Sequence, residues 1–374
     1  MTRRRLIPLL VVVFATAGAS ARAAAPPPLD PVRFAFPGSL PAPFSAASAG
    51  LAQADRWLGD EPAGNPAAAP ARGVLLAPQG LRVSRQDLSA DNREFSEQFG
   101  YLDFAGGRLT VPVRGLSVSL YAWQPVLRLE NSRFFTGRAR SVGASAAVVN
   151  DGSTREFRSG LALSLGRGAT RAGAAIEWSQ RSDRYQVRES SGSPDAGLRD
   201  LSFDGSVLGG AAGLRWERSP AQRGGLVLGA ALHWQGALDA KGTLTNTLLS
   251  GDTTIAVPAA RAPTWEAGTS ARVTLSPDAG VYASVGARAP EKWTSFGLES
   301  GTGSSWAVGI DFHDVETPWS ARFGLGQDAQ PGTPEPRAAS VGLGLGWLSG
   351  ETTFELGMAG KFQEERCCCL LRMI

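Results

Sequence analysis

Residues 340–348 read SVGLGLGWL. Every second position holds serine or glycine, and the positions between them hold bulky apolar residues: Val341, Leu343, Leu345 and Trp347. A period of two predicts a β-strand, because successive side chains of a strand point to opposite faces. In a water-soluble sandwich the second face would carry residues such as threonine, lysine or glutamate. The nearly bare face of this strand therefore predicts an inner side that another part of the chain or a ligand approaches closely.

The same alternation recurs from about residue 72 to residue 362, most clearly in residues 226–235, 305–313, 319–326 and 353–361. Frequent turn residues between the alternating stretches predict an antiparallel sheet built from hairpins. One face suits hydrocarbon and the other suits a crowded interior, as in transmembrane β-strands. A closed barrel also leaves no unpaired strand edge in lipid. A soluble β-sandwich is the alternative, because period two alone does not distinguish a protein core from a bilayer.

Tryptophans near strand ends support the barrel. Interfacial aromatic girdles flank the apolar band of membrane proteins. We expect seven tryptophans to belong to such girdles: Trp216, Trp234, Trp265, Trp293, Trp306, Trp319 and Trp347.

The composition fits a large β-sheet protein. Glycine accounts for 46 of 374 residues, and charged residues make up 19% against an average of about 25%. This profile argues against a disordered chain, a coiled coil and a nucleic-acid-binding protein. No apolar run of about 18 residues follows the N-terminal leader, which excludes transmembrane helices. Cysteine is absent before Cys367, so no disulfide framework supports the fold.

The first 23 residues are predicted to be a cleaved signal peptide. Three arginines precede the apolar stretch 6–17, and residues 21–23 offer a small-x-small cleavage site. An N-terminal membrane anchor is the alternative, although the apolar run is shorter than the roughly 20 residues that a spanning helix needs. Removing the leader takes away four arginines and no acid, so the formal charge of +3 becomes −1. The sequence therefore predicts an exported protein.

The alternation marks about 13 candidate strands, near residues 72–85, 115–129, 135–149, 156–166, 171–186, 203–217, 225–240, 262–275, 280–295, 303–314, 318–327, 339–348 and 352–362. Single-chain bacterial barrels have an even number of strands, so the tail after Phe362 is expected to supply one more. The tail 366–374 is atypical, since it does not alternate and contains Cys367, Cys368 and Cys369 in succession. The triple cysteine lacks the CxxC spacing of zinc sites and is no prenylation box, so an altered chain end is the simpler interpretation.

The stretch FSAASAGLAQADRWLGDEPAGNPAAAP, residues 44–70, stands between leader and first strand, with a short helical piece expected at 45–58. It resembles the N-terminal plug of FadL-type outer-membrane transporters, in which an Asn-Pro-Ala motif precedes the first strand. Asn65, Pro66 and Ala67 match that motif. Residues 207–220, 225–236, 262–285 and 319–348 are similar to the middle and late strands of the family.

The resemblance implies an all-β fold: a transmembrane antiparallel β-barrel of about 14 strands with an N-terminal plug, or hatch, in its lumen. Residues 24–70 would form the plug and residues 71–374 the barrel. The implied function is passive uptake of long-chain fatty acids or aromatic hydrocarbons across the outer membrane of a Gram-negative cell by a monomer. Its partners would be outer-membrane lipids and a hydrophobic ligand, with no nucleic acid. A non-transporting barrel that anchors secretion machinery is the alternative.

The sequence offers little for catalysis. There are two histidines, and we find no GxSxG elbow, Walker loop or dinucleotide fingerprint, so we expect no enzyme activity, cofactor or metal. An outer-membrane lipase or protease is the remaining enzymatic alternative. Charges inside a barrel usually form structural ion pairs, here among Arg215, Glu217, Glu266, Arg272, Arg288, Asp311, Arg322 and Glu355. The sharper hypothesis is that lumen residues bind a ligand head group, the candidates being Arg215, His233, Arg272, His313 and Arg322.

Overall fold

A computed structural model of the protein describes residues 43–58, 61–67, 73–89, 93–135, 147–190, 197–248, 251–295, 297–313, 317–331, 337–350, 352–363 and 368–373. The predicted signal peptide, residues 1–23, lies outside these residues, as does the first part of the predicted plug, up to residue 42. Within the described ranges, no helix is both long enough and apolar enough to cross a membrane.

The chain is almost entirely β-structure. Its one described helix, α1, is Ala46–Gly50. The strands are β1 Gly73–Ser89, β2 Arg93–Val113, β3 Leu116–Phe135, β4 Ala147–Arg167, β5 Thr170–Ser190, β6 Gly197–Arg218, β7 Leu226–Gln235, β8 Leu238–Leu248, β9 Gly251–Arg261, β10 Thr264–Ser276, β11 Ala279–Arg288, β12 Lys292–Trp293, β13 Leu298–Glu299, β14 Gly303–His313, β15 Trp319–Ala329, β16 Arg337–Ser349, β17 Thr352–Gln363 and β18 Cys368–Met373.

The strand pairings close on themselves. Of the 18 strands, all except β8, β9, β12 and β13 form an antiparallel ring of 14, in the order β1-β2-β3-β4-β5-β6-β7-β10-β11-β14-β15-β16-β17-β18. The ring closes where β18 pairs with β1, from Gly80 opposite Met373 to Arg85 opposite Cys368. The atypical tail therefore supplies the closing strand. A ring of strand pairings that returns to its first strand is the defining property of a β-barrel.

The other four strands branch from the ring. The N-terminal part of β6 pairs with β8, and its C-terminal part pairs with β7. β9 then pairs with β8, and Trp293 of β12 pairs with Arg261 of β9. The branch leaves the barrel at the end opposite to the tight turns at 114–115, 168–169, 219–225 and 277–278. We call the end with these turns the short-turn end and the other the long-loop end.

The strand that contains SVGLGLGWL has the predicted two faces. Ser340, Gly342, Gly344 and Gly346 are buried, whereas Leu345 is 54% exposed and Trp347 is 43% exposed on the outer face. The Trp347 ring stacks on Trp319 and Phe354, with ring centroids 6.1 and 5.9 Å away. An outer face of exposed apolar side chains and an inner face of small ones is the arrangement expected of a barrel wall in lipid.

Several boundaries differ from the sequence predictions. β2 was not predicted, nor were β8 and β9 as separate strands. Of the predicted strand 135–149, residues 136–146 lie outside the described residues, and the described ones belong to two paired strands, the end of β3 and the start of β4. The helical piece is confined to α1, since Ala52 and Gln53 adopt left-handed backbone angles, with φ of 49° and 66°. Trp293 is not in an outer girdle, because β12 folds inward and buries the ring against the guanidinium of Arg181, 4.8 Å from the ring centroid.

Candidate functional site

The N-terminal segment, residues 43–58 and 61–67, lies against the inner face of the ring. Most of its side chains are buried, and Trp57, Leu58, Asn65 and Ala67 are at most 2% exposed. Ser45 caps α1, since its hydroxyl accepts a hydrogen bond from the Ser48 amide at 3.3 Å. The residues of α1 are small, so its backbone can approach the wall closely.

Glycines of nine strands receive the segment. A Cβ atom at Gly213 would overlap the side-chain oxygen of Asn65, and one at Gly324 would overlap the Leu51 carbonyl carbon. Only glycine leaves room for another backbone at such a distance. We call nine of these glycines, one from each strand, the glycine belt: Gly106, Gly173, Gly213, Gly229, Gly268, Gly309, Gly324, Gly342 and Gly357. The bare face of SVGLGLGWL contributes to this belt, where Gly342 meets the backbone of Ala49.

Asn65 connects the segment to the wall. Its amide nitrogen donates to the carbonyl oxygens of Trp57 at 2.7 Å, Leu214 at 3.0 Å and Ala230 at 3.2 Å. Its amide oxygen accepts from the Ala67 amide at 2.9 Å. The side chain is fully buried, so each of these bonds is made without competition from water.

Replacing Asn65 with alanine is expected to lower stability by about 1–3 kcal/mol, because buried carbonyl groups then lose their donor. Aspartate should be worse than alanine, since a carboxylate would face three carbonyl oxygens and has no proton to donate. The check is the midpoint of urea unfolding in detergent for the unaltered protein, Asn65→Ala and Asn65→Asp. Equal midpoints for alanine and aspartate would contradict the donor role.

Charged contacts attach the segment at further points. The Arg56 guanidinium donates two parallel hydrogen bonds to the Glu266 carboxylate, both 2.6 Å long. Arg108 of β2 donates to Glu61 at 2.5 Å. A ring nitrogen of His233 lies 2.8 Å from the Gly64 carbonyl oxygen. The segment is therefore held by specific polar contacts in addition to the fit of the glycine belt.

A buried charge cluster lies on the long-loop side of the belt: Glu156, Arg158, Glu177, Gln235 and Arg261, each at most 8% exposed. Arg158 lies 2.9 Å from Glu156 and 3.6 Å from Glu177. Gln235 connects the strands, since its amide donates to Glu156 at 2.9 Å and accepts from Arg261 at 2.8 Å. The cluster thus joins β4, β5 and β7 to β9 of the branch.

The pairing of β2 with β3 stops part-way along the barrel wall. These strands pair with each other only from Val113–Leu116 to Gly106–Trp123. Beyond that point β2 pairs only with β1, and β3 pairs only with β4, among the described residues. Both strands are irregular at this level: Ala105 of β2 has no opposite residue on β1, and Gln124 and Pro125 form a bulge in β3. Bulges bend a strand, and proline cannot donate to a neighbouring strand.

An apolar cluster lines the start of this β2–β3 gap. Phe44 of the N-terminal segment lies 6.3 Å from Trp123, centroid to centroid. Leu75 packs against the same cluster, whose buried members are Phe44, Ala63, Tyr121, Trp123, Ala162, Ala175 and Ala211. The gap therefore borders an apolar surface formed jointly by the wall and the segment.

Similar solved structures show the same architecture. A Pseudomonas aeruginosa FadL homologue is 15% identical, covers 90% of this chain and 96% of its own, and superposes with a TM-score of 0.63. The chain has the FadL-type fold. The Pseudomonas putida toluene transporter TodX (13% identity, 88% and 95% coverage, TM-score 0.56) and the Ralstonia pickettii toluene transporter TbuX (12%, 88% and 96%, 0.58) share it. No family model and no curated protein matched the sequence.

Within this FadL-type barrel, the three candidate arginines each face a carboxylate. Arg215 is 2.6 Å from Glu217, and Arg322 is 2.8 Å from Glu355. Arg272 is more weakly held, 3.8 Å from Asp311, and its Nε atom is buried without a hydrogen-bond partner among the described residues. All three lie on the short-turn side of the glycine belt, but on separate strands.

The two candidate histidines are far apart. Along the paired strands, His233 is level with Gly303, the first residue of β14. His313 is the last residue of β14, about 30 Å further along that strand. His233 contacts the N-terminal segment, and His313 is half-buried near the short-turn end. The FadL-type fold therefore does not bring the five predicted residues into one site.

Three buried lumen residues that link several strands were not predicted as site residues. Arg158, Glu177 and Trp123 surround the polar and apolar surfaces beside the gap. The alternation along each strand predicts only that a residue faces inward. It does not predict which residues of other strands it meets, because a linear sequence does not show which strands are opposite each other. The glycines at alternate positions were the one signal that could have located the belt.

Proposed function

We propose that this chain is an outer-membrane channel for passive uptake of hydrophobic small molecules. Support comes from the fold shared with the toluene transporters TodX and TbuX and from the exposed apolar outer wall. The signal peptide at residues 1–23 is part of the proposal, because an outer-membrane protein must be exported. The short-turn end would then face the periplasm, as in other bacterial barrels.

In this proposal residues 24–70 act as the plug, and the Asn65-Pro66-Ala67 motif fixes the plug to the wall. Two features of the lumen oppose an axial route for an apolar ligand. The segment fills the level of the glycine belt, and the charge cluster lies beyond it. Passing the cluster would separate buried ion pairs, which is strongly unfavourable.

The β2–β3 gap offers an alternative exit. A ligand that reaches Phe44 and Trp123 stays in apolar surroundings and can pass sideways into the bilayer. This apolar lining, beside two strands that do not pair with each other, is the observation that carries the proposal. The ligand is expected to be a neutral hydrocarbon. Arg215 and Arg322 already have carboxylate partners, so neither is available for an acidic head group. Among the predicted head-group residues, Arg272 stays a candidate for an acidic ligand that passes the glycine belt, because it lies on the short-turn side of the belt and off the route through the gap.

Pro125→Val is expected to lower uptake of toluene several-fold in cells that depend on this channel, because a valine amide allows β3 to straighten and pair across the gap. Pro112→Val is the matched control, since Pro112 is exposed and sits within the regular pairing of β2 with Ser117 of β3. Uptake of labelled toluene and oleate is measured for both variants at equal amounts of folded barrel. Unchanged uptake with Pro125→Val would exclude the gap as the exit.

A further inference from the structure

A groove crosses the outer wall over β6, β7, β10 and β11. Its volume is about 540 Å³, within the range of pockets that hold small ligands. The register places its outward residues in two adjacent rows. One row is Trp216, Leu228, Ala271 and Ala283, and the next is Leu214, Ala230, Thr269 and Val285.

The groove forms because small side chains on the outer wall lie between larger ones. Alanine occupies three of the eight outward positions, and these lie between larger residues on both sides. Leu214 is 59% exposed on the β6 side. On the β14 side, Trp306 follows Val285 in register and is 46% exposed. The resulting channel in the surface is apolar, except at its short-turn end.

Three exposed arginines stand at that end. Arg167 pairs in register with Thr170, which pairs with Trp216 of the groove. Arg218 is two residues beyond Trp216 on the same face of β6, and Arg223 lies in the turn that follows. None of the three has an ion-pair partner in the part of the chain that the structure describes. Asp278, in the β10–β11 turn, is the acid nearest in register to the other edge of the groove.

We propose that this groove binds an acyl chain of an anionic phospholipid whose phosphate is held by Arg167 and Arg218. The groove provides an apolar bed for the chain, and the arginines provide the opposite charge at the level of the head group. Trp216 lies between the two parts, where an aromatic ring suits the membrane interface. The inference rests on the proposed placement of the chain in a membrane, with the short-turn end at the phospholipid surface.

The test uses the full-length protein in mild detergent, titrated with phosphatidylglycerol or phosphatidylcholine and followed by native mass spectrometry. We expect phosphatidylglycerol to bind at lower concentration, by about fivefold for each arginine near the phosphate. Arg167→Gln with Arg218→Gln should remove this preference, whereas Arg114→Gln, at a different short turn, should retain it. Ala271→Leu with Ala283→Leu should fill the groove and weaken binding of both lipids.

Ala321→Leu is the control for the filling variant, because Ala321 is an exposed outward residue of β15 away from the groove. Equal binding of both lipids by the unaltered protein, or unchanged binding after filling, would overturn the inference. Toluene uptake by the same variants is measured in parallel. If the unaltered protein takes up toluene but shows no preference for phosphatidylglycerol, the lipid site is excluded and the proposed function is unaffected. If the unaltered protein does not take up toluene, the proposed function itself is contradicted.

Discussion

Gly324→Leu is expected to convert the plugged barrel into an open, ion-conducting pore. The added Cβ atom would overlap the backbone of Leu51, and backbone cannot move aside as a flexible side chain can. The wall has paired strands on both sides of Gly324, so the N-terminal segment is the part that must yield. Displacing it leaves a lumen ringed by 14 strands, approaching the porins of about 16–18 strands that enclose an aqueous channel.

The measurement is conductance in planar bilayers. The variant should show a conductance on the order of that of a porin, and the unaltered protein should show nearly none. Ala321→Leu is a suitable control, because it adds the same side chain to the same strand on the outer face. A gel run with unheated and boiled samples establishes that each barrel is closed. Gly342→Leu, which meets the backbone of Ala49, should give the same result.

A folded Gly324→Leu barrel with the low conductance of the unaltered protein would contradict the proposed plug. It would mean that the segment can shift along the wall and still seal the lumen. The Arg56–Glu266 and Arg108–Glu61 contacts argue against such a shift, because they fix the segment at separate points.

The sequence predicted the wall best where both faces are constrained. In β16 the outer face is apolar and largely exposed, while Gly342 and Gly344 of the other face meet the segment, so residues 340–347 follow the alternation. β8 fails this condition, because the face with Leu244 and Leu248 is interrupted by Asn246 and the strand belongs to the branch outside the ring. β2 was missed for a related reason: its first half pairs with β1 alone, and its sequence REFSEQFGYLDF has no consistent apolar face.

The site was less predictable than the wall, because its contacts join distant parts of the chain. The Asn65-Pro66-Ala67 motif was visible as a local pattern, but its partners Leu214 and Ala230 are defined only by the ring. Likewise Glu156 and Arg261 meet through Gln235, and no spacing rule connects three separate strands. Inward-facing charge was predictable from alternation, whereas the pairing of charges depends on strand order and register.

Glu177→Gln is expected to destabilise the barrel strongly. The Glu177 carboxylate is 1% exposed, accepts a 2.6 Å hydrogen bond from the Tyr121 hydroxyl and lies 3.6 Å from Arg158. Glutamine keeps the shape and removes the charge, which leaves Arg158 with Glu156 alone. The cluster then holds two buried arginines, Arg158 and Arg261, against one carboxylate. Removing one partner of a buried ion pair costs about 3–5 kcal/mol, because the excess charge is poorly compensated in the interior.

The control variant is Arg184→Gln on the same strand, since the Arg184 side chain is 63% exposed and its ion pair with Asp200 is screened by solvent. Such exposed pairs contribute about 0–1 kcal/mol. Urea unfolding in detergent gives both free energies. A loss below about 1 kcal/mol for Glu177→Gln would mean that water enters the charge cluster and screens the arginine that has lost its partner. Replacing Glu177 and Arg158 together with leucine should recover much of the loss, because no buried charge is then left unpaired.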